Sequence, residues 1–146
     1  MKRTENYAKI RFKAASVNEG FARGCAAAFA SQADPTIEVI SDIKTAVSEA
    51  VTNAIVHAYP HEEGDVEMAF SLNEDDVFTI YVRDERRGID NIEQAMQPFY
   101  TTLADEERSG MGFTVMQTFM DSLEVTSKAG GGTTVIMKKC LTGKKR

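Results

Sequence analysis

A two-layer α+β fold, a mostly antiparallel sheet covered by helices on one face, is what the order of patterns in this chain predicts. Two observations carry it. Four stretches with strand-like alternation come as neighbouring pairs across short turns: Val66 to Leu72 with Val77 to Arg83, and Leu123 to Ser127 with Thr133 to Lys139. Strands joined by short turns pair antiparallel. Two helical patterns follow one another between residues 16 and 57, with no strand between them. A doubly wound parallel sheet would need strand and helix to alternate, and they do not.

Residues Tyr7 to Ala14 open the chain as a strand, with Ala8, Ile10, Phe12 and Ala14 on one side and Tyr7, Lys9, Arg11 and Lys13 on the other. Ser16-Val17-Asn18-Glu19 reads as a capping box at a helix start. That helix is expected to run to about Gln32 with Phe21, Cys25, Ala28 and Phe29 inward and Arg23 off the stripe. Asp34 as N-cap and Pro35 in the first turn are expected to restart a helix. Ile37, Ile40, Ile43, Val47, Ala50 and Ala54 carry its apolar period to about His57, and Tyr59-Pro60 ends it. After the first hairpin, whose second strand delivers Asp84, come a short helix from about Ile92 to Gln97 and a polar loop from Phe99 to Ser109. Gly110-Met111-Gly112 then opens a helix carrying Phe113, Met116, Phe119 and Met120, and the second hairpin turns through Gly130-Gly131-Gly132.

The whole chain, residues 1–146, is expected to form one domain, a length that buries a core without staples. A net charge of −5 and a pI near 5.1 argue against a nucleic-acid surface. Cys25 and Cys140 have no metal or redox spacing, no apolar run spans a membrane and no signal peptide is expected. A cytoplasmic protein is the simplest expectation.

Three separated signals bear chemistry. On a helix, Glu49, Asn53 and His57 recur every four residues and share one face, beside an apolar stripe of Val47, Ala50, Val51 and Ala54. A carboxylate there can take a proton, and a carboxamide oxygen suits Mg²⁺. Asp84 at a strand end can accept a hydrogen bond from an exocyclic amine, with Gly88 four residues on. Ser109-Gly110-Met111-Gly112 at a helix start lets backbone N–H groups approach phosphate. Singly, each has an ordinary reading: a solvated helix face, a turn-capping Asp, a surface loop. His57 lacks a second ligand at metal spacing and reads as a helix C-terminal cation or cap.

Order and spacing together resemble the Bergerat-fold (GHKL) ATPases. Glu49-Ala50-Val51-Thr52-Asn53 resembles the N box, Asp84 to Gly88 the D-x-G-x-G box, Gly110-Met111-Gly112 the second glycine box, and Thr133-Thr134-Val135 the strand threonine motif. Within that superfamily, Ser48 to His57, Gln97-Pro98-Phe99-Tyr100-Thr101-Thr102, Glu107 to Phe113, Gly132 to Val135 and Asn18-Glu19 with Phe21-Ala22-Arg23 are similar to the sporulation anti-sigma F factors.

The resemblance implies a dimeric protein that sequesters a sporulation sigma factor and uses Mg-ATP to phosphorylate a serine of an anti-anti-sigma protein. It implies Glu49 as general base and Asn53 as the Mg²⁺ ligand. Asp84 would recognise adenine, Gly88 would let the backbone pass under the base, and Thr133 would support Asp84. Arg108, Ser109, Gly110, Met111 and Gly112 would surround the phosphates, Thr101 would be a further nucleotide-binding residue, and Arg23 would contact protein partners. The first strand and the sheet surface would build the dimer. Arg86 stands where the D-x-G-x-G pattern has its first glycine. If that position needs φ > 0 the side chain costs about 1–3 kcal/mol of strain; alternatively the long cation points to solvent. A non-catalytic sigma-binding module and a related stress-response kinase are the alternative readings.

Overall fold

The computed structural model describes residues 4–59, 64–85, 111–128 and 132–142. Among them are five strands and three α-helices: β1 (Asn6–Lys13), α1 (Asn18–Ala30), α2 (Ile37–Asn53), β2 (Asp65–Leu72), β3 (Val77–Asp84), α3 (Met111–Phe119), β4 (Ser122–Lys128) and β5 (Gly132–Cys140). They form one sheet in the order β1-β2-β3-β5-β4, every neighbouring pair antiparallel. The two-layer α+β expectation holds. The short helix expected at 92–97 and the loop at 99–109 lie outside the described residues.

The sheet's inner face is the alternation written in the strands. Val66, Met68, Phe70 and Leu72 of β2, with Phe78, Ile80 and Val82 of β3, are all buried. Against them lies α2, flanked by α1 and α3 and burying Ile43, Ala46, Val47, Ala50 and Val51. A short 3₁₀ turn, Ser31–Ala33, links α1 to the segment before α2.

Both expected helix starts differ from the structure. Val17, already helical in backbone, precedes α1 with no side-chain cap. The Ser16 carbonyl, not its hydroxyl, accepts the Glu19 N–H at 3.1 Å, and the Asn18 side chain donates to the Lys13 carbonyl at 2.9 Å. The Glu19 carboxylate instead faces Arg23 at 3.5 Å. At α2 the cap is Thr36, whose hydroxyl accepts the Val39 N–H at 3.1 Å. Asp34 sits in the left-handed region at φ 52° and closes the 3₁₀ turn, its N–H donating to the Ser31 carbonyl at 3.0 Å.

The buried stripe of α1 is also turned by about one residue. Ala22, Ala26 and Ala30 face inward, while Phe21 is 53% exposed and Ala28 is exposed. In Ala26-Ala27-Ala28 hydropathy does not distinguish one face from another, and the smallest side chains win the closest approach. The aromatics flank them: Phe29 stacks on Phe70 and Phe78 with ring centroids at 5.6 and 5.9 Å, and Phe21 meets Phe12 edge-on at 6.2 Å. Cys25 is partly buried against the core rather than fully inside it. In α2, Ile37 is 89% exposed, so the apolar period begins one turn later than expected.

The helical pattern expected to reach His57 changes pitch at Ala54. Residues Ala54–Ala58 form a π-turn, so the four-residue arithmetic that groups His57 with Glu49 and Asn53 stops at Asn53. One inward cation was not foreseen. Lys139 of β5 donates to the Phe119 carbonyl at the end of α3 at 2.7 Å and lies 3.6 Å from Asp42 of α2, bolting both helices to the sheet.

Candidate functional site

The last two turns of α2 are apolar on one side and polar on the other. Ala50, Val51 and Ala54 are buried, which leaves Glu49 and Asn53 half-buried on the neighbouring face. The start of α3 lies directly against that face. A Cβ placed on Gly112 would stand 3.0 Å from Asn53 Nδ2, 3.5 Å from Asn53 Oδ1 and 3.5 Å from Glu49 Oε1. Glycine there keeps open the space in front of the carboxamide and carboxylate and brings the N–H groups of a helix start beside them. Helix–helix packing therefore joins three sequence-predicted residues, Glu49, Asn53 and Gly112.

Asp84 and Thr133 meet at the ends of the two central strands. They are paired in the β3–β5 register, and each is 7% exposed. The Thr133 hydroxyl lies 3.0 Å from that of Ser127 on β4, which fixes its rotamer. Gly132, at φ 94°, begins β5. A Cβ there would fall on the Asp84 carbonyl and stand 2.8 Å from the Glu85 Cα. The chain leaving β3 is thus pressed against glycine on one side. On another it is held by Tyr59, 4% exposed, whose hydroxyl accepts the Glu85 N–H at 2.9 Å. Tyr59 was read only as a helix-ending residue. Its signal was a tyrosine beside a proline, since a buried tyrosine usually spends its hydroxyl on a partner.

Arg23 and Glu49 line the same groove between α1 and α2, about 420 Å³ in volume, together with Ile37, Ile40, Lys44 and Ser48. Sequence spacing gave no sign of this neighbourhood, because the two residues lie on different helices. Gly88, Thr101, Arg108, Ser109 and Gly110, and Arg86 with them, lie outside the described residues. Met111 begins α3, and only its backbone is described. Among the described residues no group of three or more His, Cys, Asp or Glu could hold a metal. One carboxamide beside one carboxylate, with open space kept by Gly112, fits Mg²⁺, which takes one or two protein ligands and completes its shell with water and substrate phosphates. No helix of the described residues is long and apolar enough to cross a membrane.

Comparison with known proteins agrees with this frame. Residues 10–139 match the family model of the histidine kinase-like ATPase domain. The anti-sigma F factor of Clostridium beijerinckii is 58% identical over 137 residues, which cover 93% of this chain and 95% of that protein. The anti-sigma F factor of Caldanaerobacter subterraneus subsp. tengcongensis is 58% identical over 135 residues, covering 92% and 93%. Among solved structures, the RsbU and RsbW domains of a Mycobacterium tuberculosis protein superpose with a TM-score of 0.68 at 20% identity, over 93% of this chain and 32% of that one. The histidine kinase domain of an Erythrobacter litoralis blue-light activated kinase does so with a TM-score of 0.56 at 22% identity, over 85% of this chain and 61% of that one. These distant structures share the fold. The relatives that match over nearly the whole chain, with the family model, make this chain a member of the anti-sigma F factor family, built on a histidine kinase-like ATPase domain.

Proposed function

We propose that this protein is an ATP-dependent serine kinase that also sequesters a sporulation sigma factor, its substrate being a serine of an anti-anti-sigma protein. The observation that supports this most is the meeting of Glu49, Asn53 and the open Gly112 position at one helix junction. A solvated helix face would not need a bare glycine set against its carboxylate and carboxamide.

In this reading Asp84 accepts a hydrogen bond from the adenine amine, and Thr133, across the register, keeps that carboxylate in place. Gly88 lets the backbone pass under the base. Thr101, Arg108, Ser109, Gly110, Met111 and Gly112 surround the phosphates, Arg108 meeting the γ-phosphate. Glu49 takes the proton of the substrate serine as its oxygen bonds to the γ-phosphorus, and the bond from that phosphorus to the β–γ bridging oxygen breaks to leave ADP. Asn53 would hold Mg²⁺, which would supply positive charge against the charge building on the phosphates. The rest is positioning, which supplies most of the catalysis in phosphoryl transfer.

Arg23, in the groove that runs to Glu49, contacts both protein partners. Glu19, one turn earlier on α1, stands 3.5 Å from its guanidinium. Two chains pair through β1 and the outer sheet face, where Tyr7 is 81% exposed. Residues 1–146 act as one unit, in the cytoplasm with the sigma factor.

The test is transfer of γ-labelled phosphate from Mg-ATP to a purified anti-anti-sigma protein, with Glu49→Ala alongside. Transfer that vanishes in the variant supports the assignment. A folded parent that transfers nothing, yet retains the sigma factor, leaves a binding module.

A further inference from the structure

We infer that Tyr59 is a positioning residue for base recognition, acting through the strand end that carries Asp84. The inference rests on the nucleotide-site reading given above. Tyr59 immediately follows the π-turn that ends the Glu49–Asn53 helix, and its ring is buried. Its hydroxyl accepts the N–H of Glu85, the residue after Asp84, at 2.9 Å. The ring is held from below by the start of β2. A Cβ on Gly64 would come within 2.5 Å of the ring Cδ1 and 2.7 Å of Cζ. Gly64 is itself anchored, because its carbonyl accepts the Ala14 N–H at 2.8 Å just beyond β1.

Three segments therefore meet at one side chain: the π-turn that follows the Glu49–Asn53 helix, the residue before β2 and the residue after β3. On the other side of Asp84 and Glu85 sits Gly132, with no room for a side chain. The peptide after Asp84 is gripped between a phenolic oxygen and a bare glycine. The tyrosine hydroxyl sets where that peptide, and with it the Asp84 carboxylate, lies relative to Asn53. When the part-buried Glu85 N–H loses its acceptor it must turn to water or another partner, and the strand end shifts with it.

The consequence is specific to the base. Tyr59→Phe keeps the ring and removes only the hydroxyl. ATP affinity is expected to fall about tenfold, the scale of one lost hydrogen bond. Affinity for GTP, which lacks the adenine amine, is expected to change by less than about twofold, so discrimination between the bases narrows. In phosphate transfer, KM for ATP rises while kcat changes little. Gly64→Ala, which pushes the ring off its seat from a different strand, is expected to give the same narrowing. Because both act through one hydroxyl, the double variant is expected to lose no more than about the larger single loss.

The experiment is calorimetric titration of the full-length parent and the three variants with Mg-ATP and Mg-GTP, with melting curves recorded on the same samples. Equal losses for ATP and GTP, or ATP affinity unchanged in Tyr59→Phe, overturn the inference and leave Tyr59 as a packing residue. A parent that binds no ATP overturns the nucleotide-site reading as well, so the two failures are told apart.

Discussion

Gly112 and Gly132 stand at opposite ends of the candidate site, and a side chain at each would meet close neighbours, but of different kinds. At Gly112 the atoms that a Cβ would meet are the tips of the Asn53 and Glu49 side chains, at 3.0 to 3.5 Å, and the backbone is helical. At Gly132 they are backbone atoms of Asp84 and Glu85, and φ is 94°. One glycine keeps open a space where side chains work. The other is a requirement of the sheet itself. The Gly112 end is built by helix packing and tolerates small adjustment; the Gly132 end is built from strand termini and does not.

This contrast orders the expected effects of substitution on stability. Gly132→Ala is the most damaging, with a loss of about 3 kcal/mol in chemical denaturation, because a positive φ and a backbone collision must both be relieved. A variant less than about 1 kcal/mol below the parent would erase the distinction drawn between the two glycines. Lys139→Met, which removes the bolt to Phe119 and Asp42, is expected to cost about 1–2 kcal/mol. Its midpoint in urea should fall with no change in m-value. Thr36→Ala, far from both ends of the site, is expected to lower stability by about 1 kcal/mol through the lost cap and to leave phosphate transfer intact. Gly112→Ala has the smallest expected effect on stability, within about 1 kcal/mol of the parent, since alanine's helix preference offsets the crowding. Yet its phosphate transfer should drop about tenfold or more as Asn53 is displaced. A Gly112→Ala protein with unchanged transfer would show that the gap over Asn53 is not used.

What could be read in advance follows the same division. Glu49 and Asn53 were legible because four-residue spacing on a helix is local, and Asp84 because a hairpin delivers its own strand end. The pairing of Asp84 with Thr133 and the approach of Gly112 to Asn53 depend on non-local packing, for which the motif order was the only guide. The helix starts were misplaced for a narrower reason: Ser16 and Asp34 are good caps by composition, but Asn18 and Thr36 made the competing local hydrogen bonds. The inward stripe of α1 was missed because three consecutive alanines carry no hydropathic contrast. Tyr59 and Lys139 escaped because each acts on a backbone group distant in sequence, a partner no periodicity announces.

The strand order has one more consequence. β5 is inserted between β3 and β4, so the strands that bear Asp84 and Thr133 have neighbours on both sides, while β1 and β4 lie at the margins. Amide hydrogens of central strands exchange with solvent only when much of the domain opens, whereas those at the margins exchange by local fraying. Asp84 and Thr133 thus end two strands whose middles are expected to exchange more slowly than those of β1 and β4. The sheet can fray at β1 and β4 while β2, β3 and β5 stay paired.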